Sequence, residues 1–399
     1  MLGLPITLGW IVALLFACST PAPVPSAPGE PAPTPTTTPI TVTAADVTMI
    51  WPMPRDATGR DAMIAATAAG GHGELLPASH YKVPVLDARD WDVKEPQVDR
   101  TRLRVVAARL DPCFASFVPP TDASCVNQVR LVMQVIRSGG AGVKDRLGAN
   151  DGAVHAFYRL PRAELLDLVR ELAALGAKHG GTASETLGVH PILARDGAGS
   201  EYGKQLHALL LARIGVKRLV RVTFFARTAD REPLWPFGLF DVIDGKLVEQ
   251  DIVTLGAKRQ TLEGAGPLKV IAPQTASADN PAALLTVRGP ARTATDRERA
   301  AYAALLRIQN PTKHTPDTMA CAECHAAQRM QRAAEITLGL RATDLAEDYF
   351  ATGIPLPATP VDAENFHAAG YLGDNLAVSV RTANETAAVV AALTALLGG

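Results

Sequence analysis

Five cysteines, at 18, 113, 125, 321 and 324, fall into one single residue and two close pairs, and that spacing constrains the fold more than any other feature of the chain. Cys113 and Cys125 enclose a loop rich in Pro, Asp and Ser (DPCFASFVPPTDASC). The runs on either side, 103–110 (LRVVAARL) and 129–136 (VRLVMQVI), read as strands. A bond between the two cysteines would pin neighbouring strands and, by limiting the unfolded chain, contribute about 3 kcal/mol. No nearby His or helix start lowers either thiol pKa, so the pair reads as a structural disulfide. Such bonds persist outside the cytoplasm.

The N-terminus points the same way. Residues 2–17 (LGLPITLGWIVALLFA) are almost wholly apolar. The run is shorter than the about 20 residues of a spanning helix and suits the h-region of a signal peptide. Leu15-Phe16-Ala17-Cys18 resembles the lipobox of bacterial lipoproteins. That resemblance implies cleavage before Cys18 and a lipid on its thiol, so the lipid bilayer becomes a partner. With Ser19 next, it also implies a cell-envelope address at the outer membrane, facing the periplasm or the cell surface. A plain signal peptide or an uncleaved anchor, with an incidental cysteine, is the alternative. Residues 20–40 are mostly Pro, Ala, Thr and Ser. They cannot bury a core and favour extended polyproline II, so 18–44 reads as a tether. Lys and Arg number 39 against 40 Asp and Glu, and the net charge of −1 gives no electrostatic case for nucleic acid.

The body is expected to be α+β: a strand-and-helix domain over 45–290, then a mainly helical segment over 291–399. Residues 153–160 (AVHAFYRL) and 219–226 (LVRVTFFA) read as strands, and 239–242 with 247–253 as a hairpin around Asp244-Gly245. Helical spacing marks 161–175, 200–214, 294–309, a stretch from about 326, and 384–397. Strands in meanders with helices inserted suggest α+β over a regular parallel sheet. Composition shifts toward Thr, Ala, Pro and charge near 274–300, a candidate boundary.

Gly197, Gly199 and Gly203 form a GxGxxxG, but Lys217 and Arg218 stand where a dinucleotide site needs an acid, so a turn capped by Ser200 is the better reading. His155, His190 and His207 sit singly in apolar patterns and read as hydrogen-bonded core histidines. No GxSxG elbow, HExxH helix or P-loop is present, which favours a carrier or binding protein over an enzyme.

Cys321-Ala322-Glu323-Cys324-His325 is the one motif of high specificity. It resembles the haem-attachment motif of c-type cytochromes. The resemblance implies one covalent haem c per chain, with Cys321 and Cys324 as thioether sites, His325 as proximal iron ligand, and attachment outside the cytoplasm. The only later methionine, Met330, is five residues on and too near to cross a haem. That leaves His367, His314 or an open position opposite His325. The frame Asn310-Pro311, His314-Thr315-Pro316-Asp317-Thr318 and CxxCH is similar to that of exported myxobacterial lipoproteins, a likeness that names no activity.

Two rivals use the same residues. His314, Cys321, Cys324 and His367 could make a Cys₂His₂ zinc site, or Cys321 and Cys324 could form a bare disulfide. The expected function is therefore electron transfer or redox sensing by a lipid-anchored haem protein with a redox protein as partner. The alternative is a non-catalytic envelope lipoprotein whose cysteine pairs are structural or bind zinc.

Overall fold

The computed structural model describes residues 40–89, 94–113, 125–140, 146–184, 186–264, 268–351, 353–356 and 366–398. Cys18, the leader before it and most of the Pro-rich tether lie outside the described residues. Among the described residues no helix is long and apolar enough to cross a membrane.

The architecture is α+β, as expected, and the end of the chain is mainly helical. Ten strands form one antiparallel sheet: β1 (Thr48–Ile50), β2 (Leu103–Asp111), β3 (Asn127–Ser138), β4 (Leu147–Ala149), β5 (Ala153–Leu160), β6 (Leu219–Phe225), β7 (Leu234–Ile243), β8 (Lys246–Glu249), β9 (Arg259–Gly264) and β10 (Leu268–Ala272). The order across it is β1-β2-β3-β5-β6-β7-β9-β10, with β4 on β3 and β8 on β7. Cys113 and Cys125 lie just beyond the facing ends of β2 and β3, their sulfurs 2.05 Å apart.

Strands β2, β3 and β5 are buried along most of their length, at both odd and even positions. That pattern belongs to a sheet covered on both faces. Helices α1 (Arg162–Lys178) and α2 (Glu201–Leu211) fill the connection from β5 to β6 and pack together. Ser200 caps α2 by accepting from the Gly203 N–H at 3.1 Å, as its position in the glycine-rich turn suggests. Helices α3 (Asp296–Gln309), α4 (Cys321–Leu338) and α5 (Val380–Gly398) follow, with a hairpin of β11 (Ala369–Leu372) and β12 (Asn375–Val378) between the last two. A capping box of Thr295 and Glu298 opens α3.

Residues 39–399 form one compact unit. Leu284, Leu285 and Val287 share a hydrophobic cluster with strand residues such as Val132 and Phe225 and with Leu305, Ala326 and Met330 of α3 and α4. The sheet and the helices after 290 therefore rest on a common core.

Helix α4 begins at Cys321, five residues before the start expected near 326. Its first turn has no local side-chain cap, since Ala320 occupies the N-cap position. Gln260 of β9 supplies one instead: its Oε1 accepts from the Ala322 N–H at 2.7 Å. Its Nε2 donates to Glu323 at 2.6 Å, and Glu323 also accepts from the Thr275 N–H at 3.2 Å. A buried carboxylate at N3, wrapped by donors, complements the positive end of the helix.

Candidate cofactor site

Strand periodicity decides which side chains meet α4. Cross-strand pairing aligns Arg109, Arg130, Phe157, Arg221 and Asp241 in one row, and Ala107, Val132, His155, Thr223 and Leu239 two residues further along. Residues two apart share a face. The next row on that face is Ala153, Phe225, Phe237 and Gln260. This is the face that receives the first turn of α4.

On the helix, Cys321, Cys324 and His325 stand at i, i+3 and i+4, so all three project from one side. They line a cleft of about 120 Å³ whose sheet wall includes Arg130, His155, Phe157 and Arg221. Both cysteines are free thiols and half-buried. Burial pushes Cys321 up to about 12, helped by the Cys324 and Glu323 charges, and pushes Cys324 up to about 11. These are protonated thiols. They lack the low pKa that makes a dithiol a redox catalyst.

His325 is held by protein on several sides. Its Nδ1 lies 2.5 Å from the Phe366 carbonyl oxygen, and the Phe237 and Phe225 ring centres lie 5.1 and 5.4 Å from its own. A carbonyl can only accept, so Nδ1 carries the proton and the neutral ring keeps a lone pair on Nε2. Burial holds the imidazole pKa below its ordinary value, so the ring is neutral near pH 7.

The other expected ligands lie elsewhere. His314 uses both nitrogens, Nε2 on Asp279 at 2.8 Å and Nδ1 on Thr318, and lines a separate pocket. His367 stands edge-on to Phe225 with ring centres 4.8 Å apart, has Nε2 3.4 Å from the Gln134 amide nitrogen, and does not line the cleft. Among the described residues no three His, Cys, Asp or Glu side chains are gathered as a metal site. Cys321 and Cys324 line the cleft, whereas His314 lines a separate pocket and His367 lies outside the cleft lining.

His190 and His207 are hydrogen-bonded core histidines, to the Tyr202 hydroxyl at 2.9 Å and from Trp51 Nε1 at 2.9 Å. His155 departs from that expectation. It lines the cleft, its ring centre is 6.3 Å from that of His325, and among the described residues no hydrogen bond reaches it. Its place in an apolar run hid this, because a strand buried on both faces does not reveal which face a residue takes.

Charge around the cleft is closely balanced. Arg221 pairs with Asp241 at 2.6 Å and with Asp317. Arg109 pairs with Asp111 at 2.7 Å and with Glu385, which also holds Arg381 at 2.7 Å. Arg381 donates to the Ile308 and His314 carbonyls, at 3.0 and 2.8 Å, from inside α5. Arg130 lies 4.8 Å over the Phe157 ring.

Compared with protein-family models, with curated proteins and with solved structures, the chain finds no match in any of the three.

Proposed function

We propose that this chain is an exported, lipid-anchored protein that carries one covalent haem c and serves electron transfer or redox sensing. The observation that supports the reading most is the arrangement of two free thiols and an oriented imidazole on one side of a helix, facing a cleft. The donor set fits the group. Cys321 and Cys324 are unpaired thiols available for thioethers. His325 Nδ1 is engaged by a carbonyl, the second contact that commonly fixes the tautomer of a metal-bound histidine. The cleft wall also carries Arg130, Arg221 and Arg381, each already paired with a carboxylate of the chain.

A bound haem would supply a one-electron couple at its iron. The chain's own residues hold and surround it. The thiols would fix the ring to α4, Phe366 aims the imidazole, and Phe225 and Phe237 pack against the imidazole. At about 120 Å³ the cleft is smaller than the ~300–1,000 Å³ of ordinary small-molecule sites, so a porphyrin tied here would stand partly in solvent. An exposed edge is where a redox protein would exchange electrons with it.

The test is protein produced with haem-attachment machinery, run on a denaturing gel and stained for haem. Wild type should keep its haem through denaturation, and Cys321→Ala/Cys324→Ala should lose it. Colourless, correctly exported wild type with no haem in its intact mass would falsify the reading. The anchor is checked separately, because Cys18→Ala should leave the membrane fraction or stay unprocessed.

A further inference from the structure

We propose that His155 is the second axial ligand, opposite His325, in the haem site; the inference rests on the haem reading above. His155 is 9% exposed, and among the described residues no group bonds to its ring, which opens on the cleft. Among the described residues it is the one histidine besides His325 that lines the cleft.

The separation fits. A metal that takes one nitrogen from each of two facing imidazoles, at about 2.0–2.1 Å, puts the ring centres roughly 6 Å apart. His155 and His325 have centres 6.3 Å apart and planes inclined by 40°. The two rings come from different layers, one from β5 and one from α4, with the thiols beside the second. A flat ligand held on α4 would thus have the sheet imidazole over its other face. His314 is saturated by Asp279 and Thr318, and His367 stands behind Phe225, so neither competes for that place.

His155 also sits between the rows that hold Arg130 and Phe225, with Thr223 and Val132 as its cross-strand neighbours. Strand pairing fixes its backbone on both sides. The ligand would be positioned by the sheet and not by a loop.

The experiment compares wild type, His155→Ala, His155→Met, His314→Ala and His367→Ala, each with haem attached, by optical and electron paramagnetic resonance spectra and by midpoint potential. Wild type should be low-spin. His155→Ala should turn high-spin, and added imidazole should restore the low-spin spectrum. His155→Met should stay coloured with a raised potential, since thioether ligation raises it. The His314 and His367 variants should match wild type. Haem-bearing wild type that is already high-spin, or a His155→Ala protein that stays low-spin, overturns the ligand assignment while leaving the haem reading standing. Wild type without any haem overturns both. Imidazole rescue distinguishes a lost ligand from a collapsed fold.

Discussion

Asp151 is the residue whose environment most opposes its ordinary charge. It is 1% exposed and accepts from Trp235 Nε1 at 3.0 Å, with the Arg227 Nε at 3.3 Å. Burial raises its carboxyl to about 7; Trp235, Arg89 and Arg227 pull it down and Asp87 pushes it up. His367 stands 3.8 Å away. The folded value exceeds the unfolded value of about 3.9. The fold therefore loses stability as pH rises from about 4 to about 7, because the unfolded chain sheds this proton first. Asp151→Asn keeps an oxygen for Trp235 and removes the titration. It should be more stable than wild type at pH 8, by about 2–4 kcal/mol, and close to it at pH 4. Urea unfolding at both pH values checks this, and an equal difference at the two would count against it.

At the scale of elements, the link between β2 and β3 is the simplest to probe. Replacing Cys113 and Cys125 with Ser should lower the denaturant midpoint by an amount equivalent to about 3 kcal/mol with little change in slope. Free, alkylatable thiols at both positions in untreated protein would show that the bond never forms. This link, the strands flanking it, β5 and α1 were legible because each carries a local signal: apolar runs, Pro161 ahead of a helix, two cysteines around a turn-rich loop. Strand β9 was not. Its sequence RQTLEG buries Gln260 and Leu262, so the alternation is half polar and the pattern dissolves. The start of α4 was equally hidden, since its cap comes from that unseen strand. For the site, the three residues of the motif were legible and the sheet wall was not. His155, Arg130 and Arg221 come together only through strand register, which spacing along the chain does not encode.

The whole molecule is tied together by a buried charge cluster. Arg109 and Asp111 on β2, Arg130 on β3, and Arg381 and Glu385 on α5 join one sheet face to the last helix. Burial works against a charged Glu385, yet Arg109, Arg381 and Arg130 hold its carboxyl well below the usual carboxylate range. Its contribution is thus full above about pH 5 and fades as pH falls below the unfolded value of about 4.3. Glu385→Ala strands two guanidinium groups and should destabilise the protein by about 3–5 kcal/mol at pH 7. Far less of that difference should remain in acid. Two well-separated unfolding transitions in wild type would contradict a cluster that binds sheet and helix into one cooperative body. The same layering reaches the motif. The first turn of α4 has no local cap, and the acceptor that meets the Ala322 N–H sits on a strand 62 residues earlier. The stance of both sulfurs in the cleft thus leans on a remote amide, and a change at Gln260 would be felt at Cys321 and Cys324 without touching either.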